Sequence, residues 1–139
     1  MACVFCAVVA GSTPSFSVLD EPAAVAFLDT RPVFHGHVLV VPRTHVEALA
    51  DLPVPSLGPY FEAVQRIAVA VETGLGAGGT FVALNNKVSQ SVPHLHTHVV
   101  PRTKGDGLRG FFWPRTKYAT DEEAADHAAR ITAHLPPPS

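Results

Sequence analysis

Ser91-Val92-Pro93-His94-Leu95-His96-Thr97-His98-Val99-Val100-Pro101 decides how this chain is read. The run from Ser91 to Val100, closed by Pro101, predicts a β-strand. Alternate side chains of a strand share a face, so His94, His96 and His98 project together, roughly 7 Å between successive rings, while Leu95, Thr97 and Val99 turn the other way. A single histidine is more often structural or superficial, and His127 and His134 are read so. Three on one face leave two rival chemistries: metal binding, for which neutral imidazole is the commonest side-chain ligand, and nucleophilic or acid–base catalysis. The preceding stretch, Asn85-Asn86-Lys87-Val88-Ser89-Gln90-Ser91, supplies amide and hydroxyl donors that suit phosphate oxygens better than a metal.

Outward from this run, three more strands are expected. They are Ala24–Asp29, a short apolar run ending on an acid; His35–Pro42, rich in β-branched residues; and Thr80–Asn85. Between the second and third, Tyr60, Val64, Ile67 and Val71 recur at helical spacing, with Gly74 as a stop. Thr120-Asp121-Glu122-Glu123 opens a second helix with a capping-box pattern, and Ala124, Ala128, Ile131 and Leu135 are its expected buried stripe. The pattern is α+β: an antiparallel sheet with one main helix and a C-terminal helix. A single domain over residues 1–139 is expected, with 136–139 a frayed tail.

The chain has 139 residues, 47% of them hydrophobic, so a core is possible without disulfide staples. Ten Lys and Arg against twelve Asp and Glu argue against a nucleic-acid or membrane-surface binder but leave room for one small phosphorylated ligand. No segment has the length of a membrane span, and the amino terminus lacks the pattern of a secretory signal, so a cytoplasmic protein is expected. Cys3 and Cys6, the two cysteines, lie too close to staple a fold; in a reducing compartment they read as half a metal site or a redox pair.

Gln90-Ser91-Val92-Pro93-His94-Leu95-His96-Thr97-His98-Val99-Val100-Pro101-Arg102 resembles the signature of the histidine triad (HIT) family, His-φ-His-φ-His-φ-φ. Cys3-Val4-Phe5-Cys6, Ala26–Asp29, Gly36–Pro42 and Arg43-Thr44-His45 fall in the family's order, and the amino-terminal Cys-x-x-Cys is similar to that of its bacterial Hint-like branch. The resemblance implies a homodimer that binds purine nucleotides and acts at a phosphorus bonded to a nucleoside, without an organic cofactor. Carried over by position, His96 is the nucleophile that forms a nucleotidyl-histidine intermediate, resolved by water. His98 attends the phosphate and leaving group, and Ser91 and Gln90 donate to the phosphate. Asp29 accepts from the ribose, and Phe5, Phe27, His37 and Asn85 complete the nucleotide site. Relatives that transfer or phosphorolyse nucleotides often carry glutamine at the third position, so His98 points to hydrolysis, with a nucleoside phosphoramidate or a diadenosine polyphosphate as substrate.

Two residues depart from the family pattern. Thr97 stands at a usually hydrophobic place, facing away from the triad. The loop from Asn85 to Gln90 is shorter than in many relatives and carries Ser89 in place of glycine, which leaves open whether Asn85 or Asn86 makes the polar contact.

A thioredoxin-like reading of Cys3-x-x-Cys6 needs a preceding strand, for which residue 3 leaves no room. By resemblance to zinc-binding members, Cys3, Cys6, His45 and His94 form a structural zinc site of two thiolates and two imidazoles. The alternative is two small cysteines packed near the terminus. Phe111-Phe112-Trp113-Pro114-Arg115 reads as a hydrophobic lid on the sheet, or as Trp113 and Arg115 approaching the active site or dimer partner. Against the enzyme stands a second class of function, a nucleotide-binding, zinc-stabilised interaction module with little catalysis.

Overall fold

The computed structural model describes residues 2–109 and 115–139. It falls into two compact units, Met1–Asp106 and Gly107–Ser139. The first holds α1 (Val4–Val9), β1 (Ser17–Asp20), β2 (Ala24–Leu28), β3 (Val38–Pro42), α2 (Val54–Leu75), β4 (Gly79–Ala83) and β5 (Thr97–Arg102). The five strands form one antiparallel sheet in the order β1-β2-β3-β5-β4. No helix among the described residues is long and apolar enough to cross a membrane.

The central strands are buried on both faces, which explains their nearly unbroken apolar sequences. Ala24, Ala26, Val38 and Val40 pack beneath α2 with Tyr60, Ala63, Val64, Ile67 and Val71. The alternate residues Val25, Phe27, Leu39 and Val41 form a second cluster with Phe5 of α1 on the opposite face. The expected stripe on α2 is thus its buried face. The helix runs past Gly74 to Leu75, because the left-handed cap falls on Gly76, with φ 63° and its N–H bonded to the Glu72 carbonyl.

Among the described residues, one strand, one α-helix and a single 3-10 turn at Leu49–Asp51 were not expected from the sequence. β1 is a short edge strand broken by an irregularity between Ser17 and Leu19. α1 spans only six residues, too few to show a period, and starts where the Cys3 sulfur accepts from the Cys6 N–H. The expected strand from Ser91 also begins late. Residues 91–94 bend and residues 95–96 follow without regular structure: the His94 N–H bonds to the Val92 carbonyl and the Leu95 N–H to the Val46 carbonyl, so regular pairing starts only at Thr97. The strand then runs through Pro101, opposite Thr80, to Arg102.

In the second unit, α3 (Asp121–Ala133) is capped by Thr120, whose hydroxyl accepts from the Glu123 N–H at 3.1 Å. The returning bond of the capping box goes from Ala119 N–H to the Glu123 carboxylate, one residue earlier than expected. The expected burial of Ala124, Ala128, Ile131 and Leu135 is not found: α3 has no buried residue, and Ile131 and Leu135 are exposed. An apolar period marks a face able to be covered, and here nothing among the described residues buries it. Trp113 lies outside the described residues, and Arg115 falls in the second unit.

Candidate active site and metal cluster

Although only His98 belongs to the strand proper, the alternation extends back into the segment before it. Leu95, Thr97 and Val99 are buried on the α2 side. Thr97 is also hydrogen-bonded there: its hydroxyl lies 2.7 Å from that of Tyr60, which donates to the Val40 carbonyl at 2.8 Å. This is how a polar residue is tolerated at an apolar place of the motif.

The three histidines do different things on the other face. His96 is 3% exposed, and its Nδ1 lies 2.8 Å from the His94 carbonyl. A carbonyl only accepts, so Nδ1 carries the proton, and in the neutral ring Nε2 keeps its lone pair. His98 Nδ1 lies 2.9 Å from His37 Nε2, and His37 Nδ1 accepts from the Val33 N–H at 3.0 Å. That amide fixes the chain of tautomers: His37 donates from Nε2, His98 accepts at Nδ1, and the neutral His98 carries its proton on Nε2. The tautomers also decide against a cation among Asp29, His37 and His98, although their ligand atoms lie within 4.8 Å of one another, because His37 Nε2 is protonated. The turn before His37 uses Gly36 at φ 97°, where a Cβ would also meet the Leu75 side chain.

A cavity of about 690 Å³ opens on this face, lined by Phe5, Phe27, Asp29, Ser91, His96 and His98 among the expected residues. Further walls, unforeseen in the sequence, come from Val4, Val8, Leu28, Leu39 and the segment Thr13–Phe16, with Thr30 and Arg31 beyond Asp29. Their signal was weak because they are ordinary apolar and loop residues. Asp29 accepts from the Arg31 N–H at 2.8 Å and lies 3.6 Å from His37.

Three expected nucleotide contacts stand back from the cavity. His37 lies behind His98. Gln90 ties its loop down, donating to the Glu47 carbonyl at 2.6 Å and accepting from the Lys87 N–H at 2.7 Å. Asn85 donates to the Ser89 carbonyl at 3.1 Å, and Asn86 accepts from the Leu49 N–H at 2.8 Å. The same loop holds Lys87 at φ 69° and Ser89 at φ 59°. The left-handed conformation penalises a Cβ, so glycine suits the position of Ser89 better than serine does. Ser89→Gly is expected to raise stability by about 0.5–1 kcal/mol in denaturant titration, after glycine's added unfolded-state entropy. A loss of stability would contradict the strain.

Burial lowers His98, with His96 and His37 adding to the effect, to about 4, and burial also lowers His37 against the opposing pull of Asp29. Between pH 6.5 and about 4, the unfolded chain therefore binds protons that these folded histidines refuse, and stability falls as pH falls through this window. Calorimetry should show the melting temperature dropping from pH 6.5 towards 4, with a shallower slope in His98→Gln. Equal slopes would refute the assignment.

Beside the triad lies a second cluster. Cys3 Sγ and Cys6 Sγ each lie 3.5 Å from His94 Nδ1, His45 Nδ1 is 3.2 Å from Cys6 Sγ, and the two Nδ1 atoms are 3.1 Å apart. Tetrahedral zinc, with bonds of about 2.3 Å to sulfur and about 2.0–2.1 Å to nitrogen, spaces its ligands about 3.3–3.8 Å apart, which the two distances from the thiols to His94 match and the two from His45 undercut by a few tenths of an ångström. The fit extends to the tautomer: His94 Nε2 lies 2.9 Å from the Pro42 carbonyl, so its proton sits there and Nδ1 turns a lone pair into the cluster. Burial, with Cys3 beside it, pushes the Cys6 thiol up, and a cation is what favours both thiolates.

Residues 10–105 match the HIT domain family model. The chain is 40% identical over 114 residues to the protein Hit of Bacillus subtilis, covering 80% of this chain and 78% of that one. A crystal structure of a member of the HIT family from Bacillus subtilis superposes with a TM-score of 0.88 at 33% identity, covering 99% of this chain and 100% of the other. A zinc-bound histidine triad family protein from Mycobacterium smegmatis gives 0.73 at 36% identity, covering 96% and 99%. An adenosine 5′-monophosphoramidase of Candida albicans is 28% identical over 118 residues, 81% of this chain and 78% of that one. The chain belongs to the histidine triad family.

Proposed function

We propose that this chain is a nucleotide hydrolase acting at the α-phosphorus of a purine nucleotide, either a nucleoside phosphoramidate or a diadenosine polyphosphate. The observation that carries the reading is the bond from His96 Nδ1 to the His94 carbonyl at 2.8 Å, which leaves Nε2 unprotonated beside the cavity. Nε2 attacks phosphorus as the bond to the leaving group breaks, giving a nucleotidyl-histidine. The Nε2–H of His98 and the Ser91 hydroxyl hydrogen-bond the phosphate as charge gathers on it. Water then attacks the same phosphorus, the P–N bond breaks, and the nucleoside monophosphate leaves. Phe5 and Phe27 hold the base and Asp29 accepts from the ribose. His37 orients His98, while Gln90 and Asn85 shape the loop that presents Ser91. Cys3, Cys6, His45 and His94 hold zinc, which supplies structural cross-linking and no step of the reaction. The working form is a cytoplasmic homodimer.

Adenosine phosphoramidate and diadenosine polyphosphates, each quenched early in turnover, test this reading. A nucleotidyl group should appear on the peptide carrying His96, in an acid-labile linkage typical of a phosphorus–nitrogen bond. Hydrolysis of neither compound, or an adduct on another residue, would refute it.

A further inference from the structure

The metal cluster and the nucleotide cavity meet at two residues. Phe5 lies between Cys3 and Cys6 in sequence, so the ligands bracket a wall of the cavity. Its ring stands edge-on to Phe27 at 5.5 Å, to His96 at 5.0 Å and to His94 at 6.1 Å. α1, which carries Phe5, has six residues, and a helix that short does not persist by itself. His94 is the second meeting point. Its ring Nδ1 faces the thiols, its Nε2 reaches the Pro42 carbonyl, and its own carbonyl accepts from His96 Nδ1.

We propose that the Cys3–Cys6–His45–His94 cluster is a positioning element of the reaction and not only a staple. Gathered on zinc, it clamps α1 so that Phe5 closes one wall of the nucleotide cavity, and it fixes the His94 peptide whose carbonyl sets the tautomer of His96. The inference rests on the reading of His96 as nucleophile. A staple alone affects only melting; a positioning element also affects nucleotide affinity and the His96 ring.

The full chain, zinc-loaded and then stripped by a chelator, is titrated with AMP by calorimetry while the ring nitrogens of His96 are followed by ¹⁵N NMR. Stripping is expected to weaken AMP binding about tenfold or more and to move His96 from a single Nδ1–H tautomer towards a mixture. Unchanged affinity and an unchanged tautomer, in stripped protein with native circular dichroism, would overturn the proposal. Should stripping unfold the chain, cadmium replaces zinc: its longer bonds push the ligands apart, and about a threefold loss of AMP affinity with shifted His96 nitrogens is expected. Cadmium protein indistinguishable from zinc protein in both readouts overturns the proposal equally. If zinc-loaded protein binds no AMP, the nucleotide reading fails on its own, and the His96 tautomer still judges the clamp.

Discussion

His96→Ala is expected to lower kcat by at least about a thousandfold on any substrate the chain turns over, leaving the sheet intact and lowering the melting temperature by about a few degrees. The size follows from the role. When the nucleophile is removed, attack falls to water, which has neither the position nor the lone pair of His96 Nε2. The sheet is spared because the ring's hydrogen bond is local, to the carbonyl two residues before it, but the buried ring also packs on Phe5 at 5.0 Å and on His98 at 5.1 Å, and losing it costs some stability. Steady-state rates, together with AMP affinity, separate the two functional classes. A variant that binds AMP as before but yields no product marks His96 as chemical. If turnover stays within about tenfold of the parent, the nucleotidyl-histidine is not on the path. A parent with AMP affinity but no turnover of either substrate would leave the chain as a nucleotide-binding module.

The double substitution Cys3→Ser, Cys6→Ser should have the next largest effect. The parent is expected to carry about one zinc per chain by elemental analysis, and the variant none, since hydroxyls are poor zinc ligands. Losing a site that joins the amino terminus to His45 and His94 should lower the melting temperature by about 10 °C, a few kcal/mol for a chain of this size. The sheet should survive, because the core between α2 and the strands includes none of the four ligands. A metal-free parent, or a variant that melts with the parent, would refute the site.

Buried central strands were readable because both their faces are apolar, and α2 because Tyr60, Val64, Ile67 and Val71 keep one face inward. The four proposed metal ligands stand at positions 3, 6, 45 and 94, and no local pattern joins them; resemblance to zinc-binding relatives did. Periodicity misled at α3, whose apolar stripe is real in sequence and exposed in structure. Gln90 suggests a phosphate donor, because an amide beside a histidine run offers that chemistry. Its donor and acceptor instead hold the loop, a choice set by Glu47 and Lys87, contacts that residue type does not reveal. The roles of His37 and Val33 were equally hidden, since a tautomer depends on what each ring nitrogen meets in space.

The late start of β5 carries a lesson for anyone wishing to transplant this chemistry. In an uninterrupted strand, backbone carbonyls are engaged by neighbouring strands, and His96 would lack a free acceptor two residues back. Because the chain bends through residues 91–94 and pairs regularly only from Thr97, the His94 carbonyl is left for the His96 ring. Copying the three histidines onto a regular interior strand of another scaffold would reproduce the spelling and not the reactivity. The portable unit is the bend with its proline, its carbonyl and the strand end that follows.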